Sequence, residues 1–490
     1  MIVRLVALVA LSAPNPHALV QRAIAALRNG SATSAASIRL RGIEHSWIIG
    51  NAERAEGPWR AAYARFVELY DDQNGRMRRT DRSIPADTVA APERITILTD
   101  TVAVVTVRDR YAGGSHGTFE DLIDRVDGSP LRALRLAEGS TRLRYDGVVS
   151  RYGVSHDIVS FPWRNGRMRI ELSAETHLPD AVEIVRPYPD NLRWGPFGDV
   201  TMRTDNVDWQ VTESGAYWPM EQKTSLNGER LRDATYASAT FDAAVPPSDS
   251  FVVSDSLRAQ FAAASALNFS RLRVGMRGQP AELGPGIVRI PDFWSQTLVK
   301  QDNGVVIFEA HISAQYLHEV IDEANKRWPG APIKALVMTS DPWAHLGGVR
   351  EAMALGLPIY VRASSVPFLT HLASTPHTIA PDSLAKSHRA PRFVPVSAKT
   401  TIGTGENRIE LYPVNGAGDG ERMLMAYFPA RRLLYGADLV FRKNGATAFL
   451  ETEATDLRRA VARERLDVDS VFSVQNFGPF KWADFDPANR

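Results

Sequence analysis

An α+β chain of two domains is predicted: a curved antiparallel β domain first, then a unit of strands interleaved with helices. Three observations predict it. At 490 residues the chain exceeds one average domain. From Ser37 to Ala243 strand-like alternation of apolar and polar residues dominates. From about Gly278 the pattern changes to short apolar runs separated by helical stripes, the mark of an α/β unit. The expected organisation is a leader at 1–18, a β-rich domain at 30–245, a linker and short helix at 246–277 and a second domain at 278–490.

The N-terminus carries Arg4, an apolar run from Leu5 to Ala13, then Pro14 and Pro16. That is the layout of a secretory leader and predicts export to the periplasm. The same run would serve as a buried N-terminal strand or helix turn in a cytoplasmic protein. No other stretch approaches the ~20 apolar residues that span a bilayer, so no transmembrane anchor is expected. The chain has no cysteine, which excludes disulfides, thiolate metal sites, a thiol nucleophile and a lipid anchor on cysteine. Formal charge is +1 with no basic run, so nucleic acid and anionic membrane surfaces are not expected partners.

In the first half, Arg167–Ser173 places Met168, Ile170 and Leu172 on one face. It is expected to pair with Ala181–Val185 through a turn at Leu178-Pro179-Asp180. Further strands are expected at Ser37–Ile43, Arg65–Tyr70, Ile95–Val107, Arg142–Val149, Val200–Arg203 and Thr235–Phe241, with helices at Phe119–Arg125 and Pro130–Ala137. Gly113-Gly114-Ser115-His116-Gly117 lacks the lysine of a phosphate loop and reads as a turn. Trp194, Phe197, Trp209, Tyr217 and Trp218 cluster near the end of this half. They fill the core of the sheet, or line a concavity for a small-molecule or apolar ligand.

Pro246-Pro247-Ser248-Asp249-Ser250 reads as a linker and Ser256–Ala266 as a short helix. Beyond it, Val305-Val306-Ile307-Phe308 is a continuous apolar strand suited to a sheet covered on both faces. Ala314–Arg327 sets Leu317, Val320, Ile321 and Ala324 on one helical stripe. Strands follow at Lys334–Met338 and Pro358–Arg362, with a helix at Val349–Leu355 between them. Strands at Arg408–Val414, Met423–Phe428 and Leu433–Leu439 complete the pattern.

Chemistry concentrates in Thr339-Ser340-Asp341-Pro342-Trp343-Ala344-His345-Leu346-Gly347-Gly348. This frame resembles the Thr-His-x-His-x-Asp-His-x-Gly-Gly metal-binding turn of the metallo-β-lactamase superfamily. Leu433-Leu434-Tyr435-Gly436-Ala437-Asp438-Leu439 is similar to the element carrying that family's metal-bridging aspartate, and Val474–Pro479 to its last ligand loop. Trp194–Val200 with Trp209 and Tyr217-Trp218-Pro219 resembles the open lipoprotein-carrier-like barrel that precedes this domain in some exported proteins. The resemblance implies an αβ/βα sandwich over Gly278–Trp482.

It also implies where two metals would bind, and most of those positions are changed. The first metal would need Ser340, Pro342 and a residue near Asp419; the second Ala344, His345, Asp438 and about Asn476. Proline and alanine offer no side-chain donor, and serine and an amide are weak zinc ligands. His345 and Asp438 alone fall short of the three protein ligands usual for catalytic zinc. No resident cofactor is therefore expected, or at most one weakly bound zinc. The same two side chains would instead pair with each other or order their loops.

Three options stay open: a ligand- or partner-binding pseudoenzyme; a hydrolase of ester, lactone or amide type with a rebuilt site; or a metal-free Ser340–His345–Asp438 triad. A rebuilt metal site would draw on His311 or His377 with Asp341. If the centre has eroded, its positions should still converge, with no three metal-competent side chains close enough to share one cation. Substrate and oligomeric state are not legible.

Overall fold

A computed structural model describes residues 13–48, 54–57, 59–84, 93–107, 110–242, 251–266, 269, 272–416, 422–440, 451–475 and 478–485. Most of the segment expected as a leader, the linker expected at 246–250, Asp419 and Asn476 lie outside the described residues. Helices and large sheets are both present, as an α+β chain requires. The chain forms two compact units. One comprises Met1–Trp47, Ala61–Arg186 and Val200–Ser265; the other Ile48–Arg60, Pro187–Asp199 and Ala266–Arg490.

The first unit is built on a 13-stranded sheet. Two meanders, from Ser37 to Gly113 and from Arg144 to Phe241, join where Ser37–Ile48 pairs antiparallel with Glu229–Phe241. Gly166–Ser173 pairs with Pro179–Arg186 as expected, with Met168 opposite Ile184, but the turn lies at 174–176, and Pro179 and Asp180, expected in it, begin the second strand. Ile95–Val107, expected as one strand, is a hairpin of Arg94–Leu98 and Ala103–Val107. Its turn is closed by Thr99, whose hydroxyl accepts from Val102 N at 3.2 Å. Four strands escaped the sequence reading: Arg76–Ile84, Arg110–Gly113, Val154–Trp163 and Tyr217–Leu226. The first buries Arg79 and Asp81, so its inward face reads as polar.

Three helices pack against one face of this sheet. Asn15 caps Pro16–Arg28, accepting from His17 N at 2.9 Å, and Leu19, Val20, Ala23 and Leu27 enter the core. His116–Asp127 and Pro130–Glu138 lie where helices were expected and add Ile123, Val126, Leu131 and Leu134. Trp218 is buried in this core, with Trp209 and Tyr217 packed at its margin. Trp194 and Phe197 do not join them: both belong to the second unit, beside Trp59 at 6.2 Å and Phe368 at 6.3 Å respectively.

The face suggested for an apolar ligand carries these helices and a buried charged network. Arg125 reaches from its helix to Glu44 at 2.8 Å and to Glu68, while Arg79 binds Glu68 at 2.7 Å and Glu44 at 3.0 Å. Burial alone would raise the Glu44 pKa, but Arg125, Arg79 and Arg232 outweigh it and hold it at about 2. Because the folded pKa lies below the unfolded one, this stabilisation is present above about pH 4.5 and lost as pH falls towards 2. Glu44→Gln is expected to flatten the acid limb of the first unit's stability profile by ~3 kcal/mol, read by hydrogen exchange between pH 5 and 2. An unchanged acid limb would contradict it.

The second unit contains two sheets. The seven-stranded sheet runs from Ala281–Gly284 to Arg392–Val396 in chain order. From Gly304–Phe308 onwards its strands are parallel, with Ala314–Arg327 and Val349–Leu355 in the first two crossovers. The six-stranded sheet runs from Thr400–Ile402 to Phe480–Lys481. Its one parallel pair, Leu433–Tyr435 with Ser470–Phe472, has Glu451–Glu464 in the crossover. The two sheets share one core: Phe308 of the first lies 6.2 Å from Phe428 and 5.3 Å from Tyr435 of the second. No described helix is long and apolar enough to cross a membrane.

Candidate functional site

Parallel strands present their C-terminal ends at a common edge, where loops are free to carry chemistry. Gly304–Phe308 ends there in Glu309, and Ile333–Val337 runs on into Thr339 and Ser340. Glu309 and Ile312 hold positive φ angles of 68° and 73°. For a β-branched residue this is a strained conformation, and it persists only where the surroundings enforce it. Between the two, His311 is turned inward and fully buried. Trp343–His345 forms one 3₁₀ turn, and Gly348 N donates to Ala310 O at 2.7 Å. A Cβ on Gly347 would lie 2.4 Å from the Ile312 carbonyl carbon, so only glycine lets these loops touch.

His345 is the centre of the resulting cluster. Its Nδ1 lies 2.9 Å from Glu309 Oε2 and its Nε2 2.7 Å from Asp438 Oδ2. Ionised carboxylates only accept, so both ring nitrogens carry protons and the ring is an imidazolium. His311 Nε2 sits 2.8 Å from the same Nδ1 and serves as a further acceptor. The carboxylates are in turn satisfied. Thr339 N donates to Glu309 Oε1 at 3.2 Å, joined by the Thr339 hydroxyl and by Tyr435 OH at 3.3 Å. Gln475 Nε2 donates to Asp438 Oδ1 at 2.6 Å, and Ser340 also binds Asp438.

Protonation follows from this geometry. Burial opposes charge on His345, yet Asp438 and Glu309 outweigh it and raise its pKa to about 10. Burial would raise the Asp438 pKa, and His345 holds it below the usual range instead. His311 is pushed well below the ordinary histidine range by burial and by the neighbouring imidazolium, so it is neutral.

The sequence-predicted positions distribute unevenly. Ser340, His345 and Asp438 converge, and the pairing of His345 with Asp438 is present. They do not form a serine relay: Asp438 accepts from both partners, and the second nitrogen of His345 is held by Glu309. Pro342 caps the 3₁₀ turn with extended backbone, φ −65° and ψ 165°. Asp341 pairs with Arg422 Nε at 3.2 Å, and Arg422 also forks onto Glu56. Burial lifts the Asp341 pKa to about 6 against the pull of Arg422. His377 lies beside Asp382 at 3.6 Å, so the suggested combination of His377 with Asp341 does not form.

The expectation that no three metal-competent side chains meet is overturned. Glu309, His311 and His345 bring three ligand atoms within 4.8 Å of one another, all from buried side chains. Sequence reasoning named His311 but missed Glu309. An acid directly after a continuous apolar strand was the available signal. Tetrahedral zinc with ~2.0–2.2 Å bonds would hold its ligand atoms ~3.3–3.6 Å apart. Here two separations are 2.8 and 2.9 Å and the third 3.9 Å. Those two are hydrogen-bond lengths, and the trio would have to open to admit a cation. The dinuclear donor set fits less well still, since Pro342 has no donor and Ser340 is engaged by Asp438.

No protein-family model matches the chain, and no curated protein matches it. Among solved structures it is similar to a metallo-beta-lactamase from Pontibacter korlensis, at 17% identity and a TM-score of 0.32, over 43% of this chain and 96% of that one. DIM-1 metallo-beta-lactamase matches at 14% identity and a TM-score of 0.32, over 43% and 94%. The inverting sec-alkylsulfatase Pisa1 from Pseudomonas sp. matches at 14% identity and 0.31; the 43% of this chain that aligns spans 39% of that protein.

Proposed function

We propose that the second unit is a metallo-β-lactamase-type sandwich that has given up dinuclear hydrolysis, and that the chain acts by binding a ligand or partner. One observation carries this reading: both ring nitrogens of His345 are taken by carboxylates inside a buried cluster. The imidazolium stands where a cation would otherwise balance Glu309 and Asp438. A cleft of about 370 Å³ opens beside the cluster loops, lined by Ile312, Gln315, Leu346, Gly347 and Glu351, and offers a binding surface. The leader layout in the sequence supports an exported protein.

A second reading, a metal-dependent ester, lactone or amide hydrolase with a rebuilt one-metal site, is favoured by the Glu309–His311–His345 trio. Hydrolysis assays of the full chain on aryl ester and lactone substrates separate the two. The binding reading expects background rates, unaltered by chelator and by added zinc. Turnover that falls at least tenfold on chelation would establish the second reading.

A further inference from the structure

On the face of the 13-stranded sheet opposite the charged network, three arginines from neighbouring strands surround a hollow of about 480 Å³. Arg41, Arg65 and Arg82 are all exposed. Arg65 and Arg82 are direct cross-strand partners, so two guanidinium groups of like charge stand opposite each other. Such a pairing is destabilising unless something of opposite charge lies between them. Arg41 and Arg65 have no acidic partner among the described residues, and Arg82 has only exposed Glu93 at 3.9 Å.

The hollow is shaped as well as charged. Its floor is formed by small residues, Gly42, Thr80 and Ala237, which lets the longer arginine side chains stand above it. The register between the first and last strands slips at Arg41/Gly42. There a Cβ on Gly42 would lie 2.3 Å from Thr235 O and 3.0 Å from Phe66 Cζ on the core side, so only glycine fits at this slip. Asp81 also borders the hollow, but its Oδ1 is engaged by Arg79 Nε at 3.1 Å and Arg94 Nε at 3.3 Å. The face therefore presents three guanidinium groups against one loosely paired carboxylate.

We propose that Arg41, Arg65 and Arg82 form a binding site for a phosphate-type oxyanion, either free phosphate or a phosphomonoester headgroup at a lipid surface. Guanidinium forks match the paired oxygens of such an anion, and three of them on one face outdo a single surface arginine. The sequence hides this site because its members lie far apart along a chain with no basic run. Nothing in it depends on the metal question in the second unit.

The test uses the full chain in a buffer free of phosphate and sulfate. Calorimetric titration with inorganic phosphate, and co-sedimentation with phosphatidylcholine vesicles with or without phosphatidic acid, form its two arms. Binding in either arm that weakens at least tenfold in Arg41→Gln/Arg65→Gln supports the site, and the responding arm identifies the source. Arg65→Glu supplies an independent control. It replaces a like-charge pair by an opposite-charge pair, so its Tm in phosphate-free buffer should rise while binding is lost. No binding in either arm, or binding unchanged in the double variant, overturns the proposal.

Discussion

His345→Ala destabilises the second unit by about 3–5 kcal/mol, the expected loss when one partner of a buried ion pair is removed and the other charge is stranded. Here two carboxylates would be stranded. Glu309 sits in a fully buried position, and among the described residues Asp438 keeps Gln475 and Ser340. The effect is readable as a loss of hydrogen-exchange protection at Glu309–Ile312 and Ala437–Leu439, with the first unit unchanged. Because the chain has two units, a single global unfolding free energy would not describe it. His345→Ala/Asp438→Asn should recover part of the loss, since it removes one stranded charge with the imidazole. Equal protection in wild type and His345→Ala would show that the imidazolium does not hold these loops.

The second large effect is a gain. Ser340→His/Pro342→His/Ala344→Asp is expected to raise zinc affinity at least tenfold, by supplying donors beside His345 and Asp438. Two observations make this feasible. Ser340 already touches Asp438, so a donor at 340 points at the cluster. Pro342 has φ −65° and ψ 165°, which any L-residue adopts, so histidine there is not strained. Zinc titration with a competing chromophoric chelator measures the gain. If the triple variant binds no better than the parent, the correspondence of these positions to a metal-binding turn is wrong.

Much of the fold was legible because local pattern and burial agree. Val305–Phe308 is apolar throughout and lies in a sheet covered on both sides. Ala314–Arg327 begins and ends where the stripe places it, and Ser313 caps it by accepting from Tyr316 N. The misses have a common cause in buried charge. Arg76–Ile84 alternates, but with Arg79 and Asp81 on the inner face, and their partners Glu44, Glu68 and Arg94 come from other strands. A single-strand pattern contains no trace of that compensation. The site was legible to the same degree: His345 and Asp438 stood out because their segments resemble a known metal-binding frame, whereas Glu309 binds His345 from 36 residues away and parallel strand pairing brings them together. Trp194 and Phe197 were misassigned because nothing local marks 187–199 as part of the second unit.

On the proposed reading, a protonated histidine between two carboxylates takes the place of a catalytic cation. Elemental analysis by inductively coupled plasma mass spectrometry, on the purified full chain after mild dialysis, tests it most directly. Well under one zinc, iron or manganese per chain is expected, with no change in Tm on adding chelator. Stoichiometric metal that chelator removes, with a fall in Tm and recovery on adding the metal back, would contradict it.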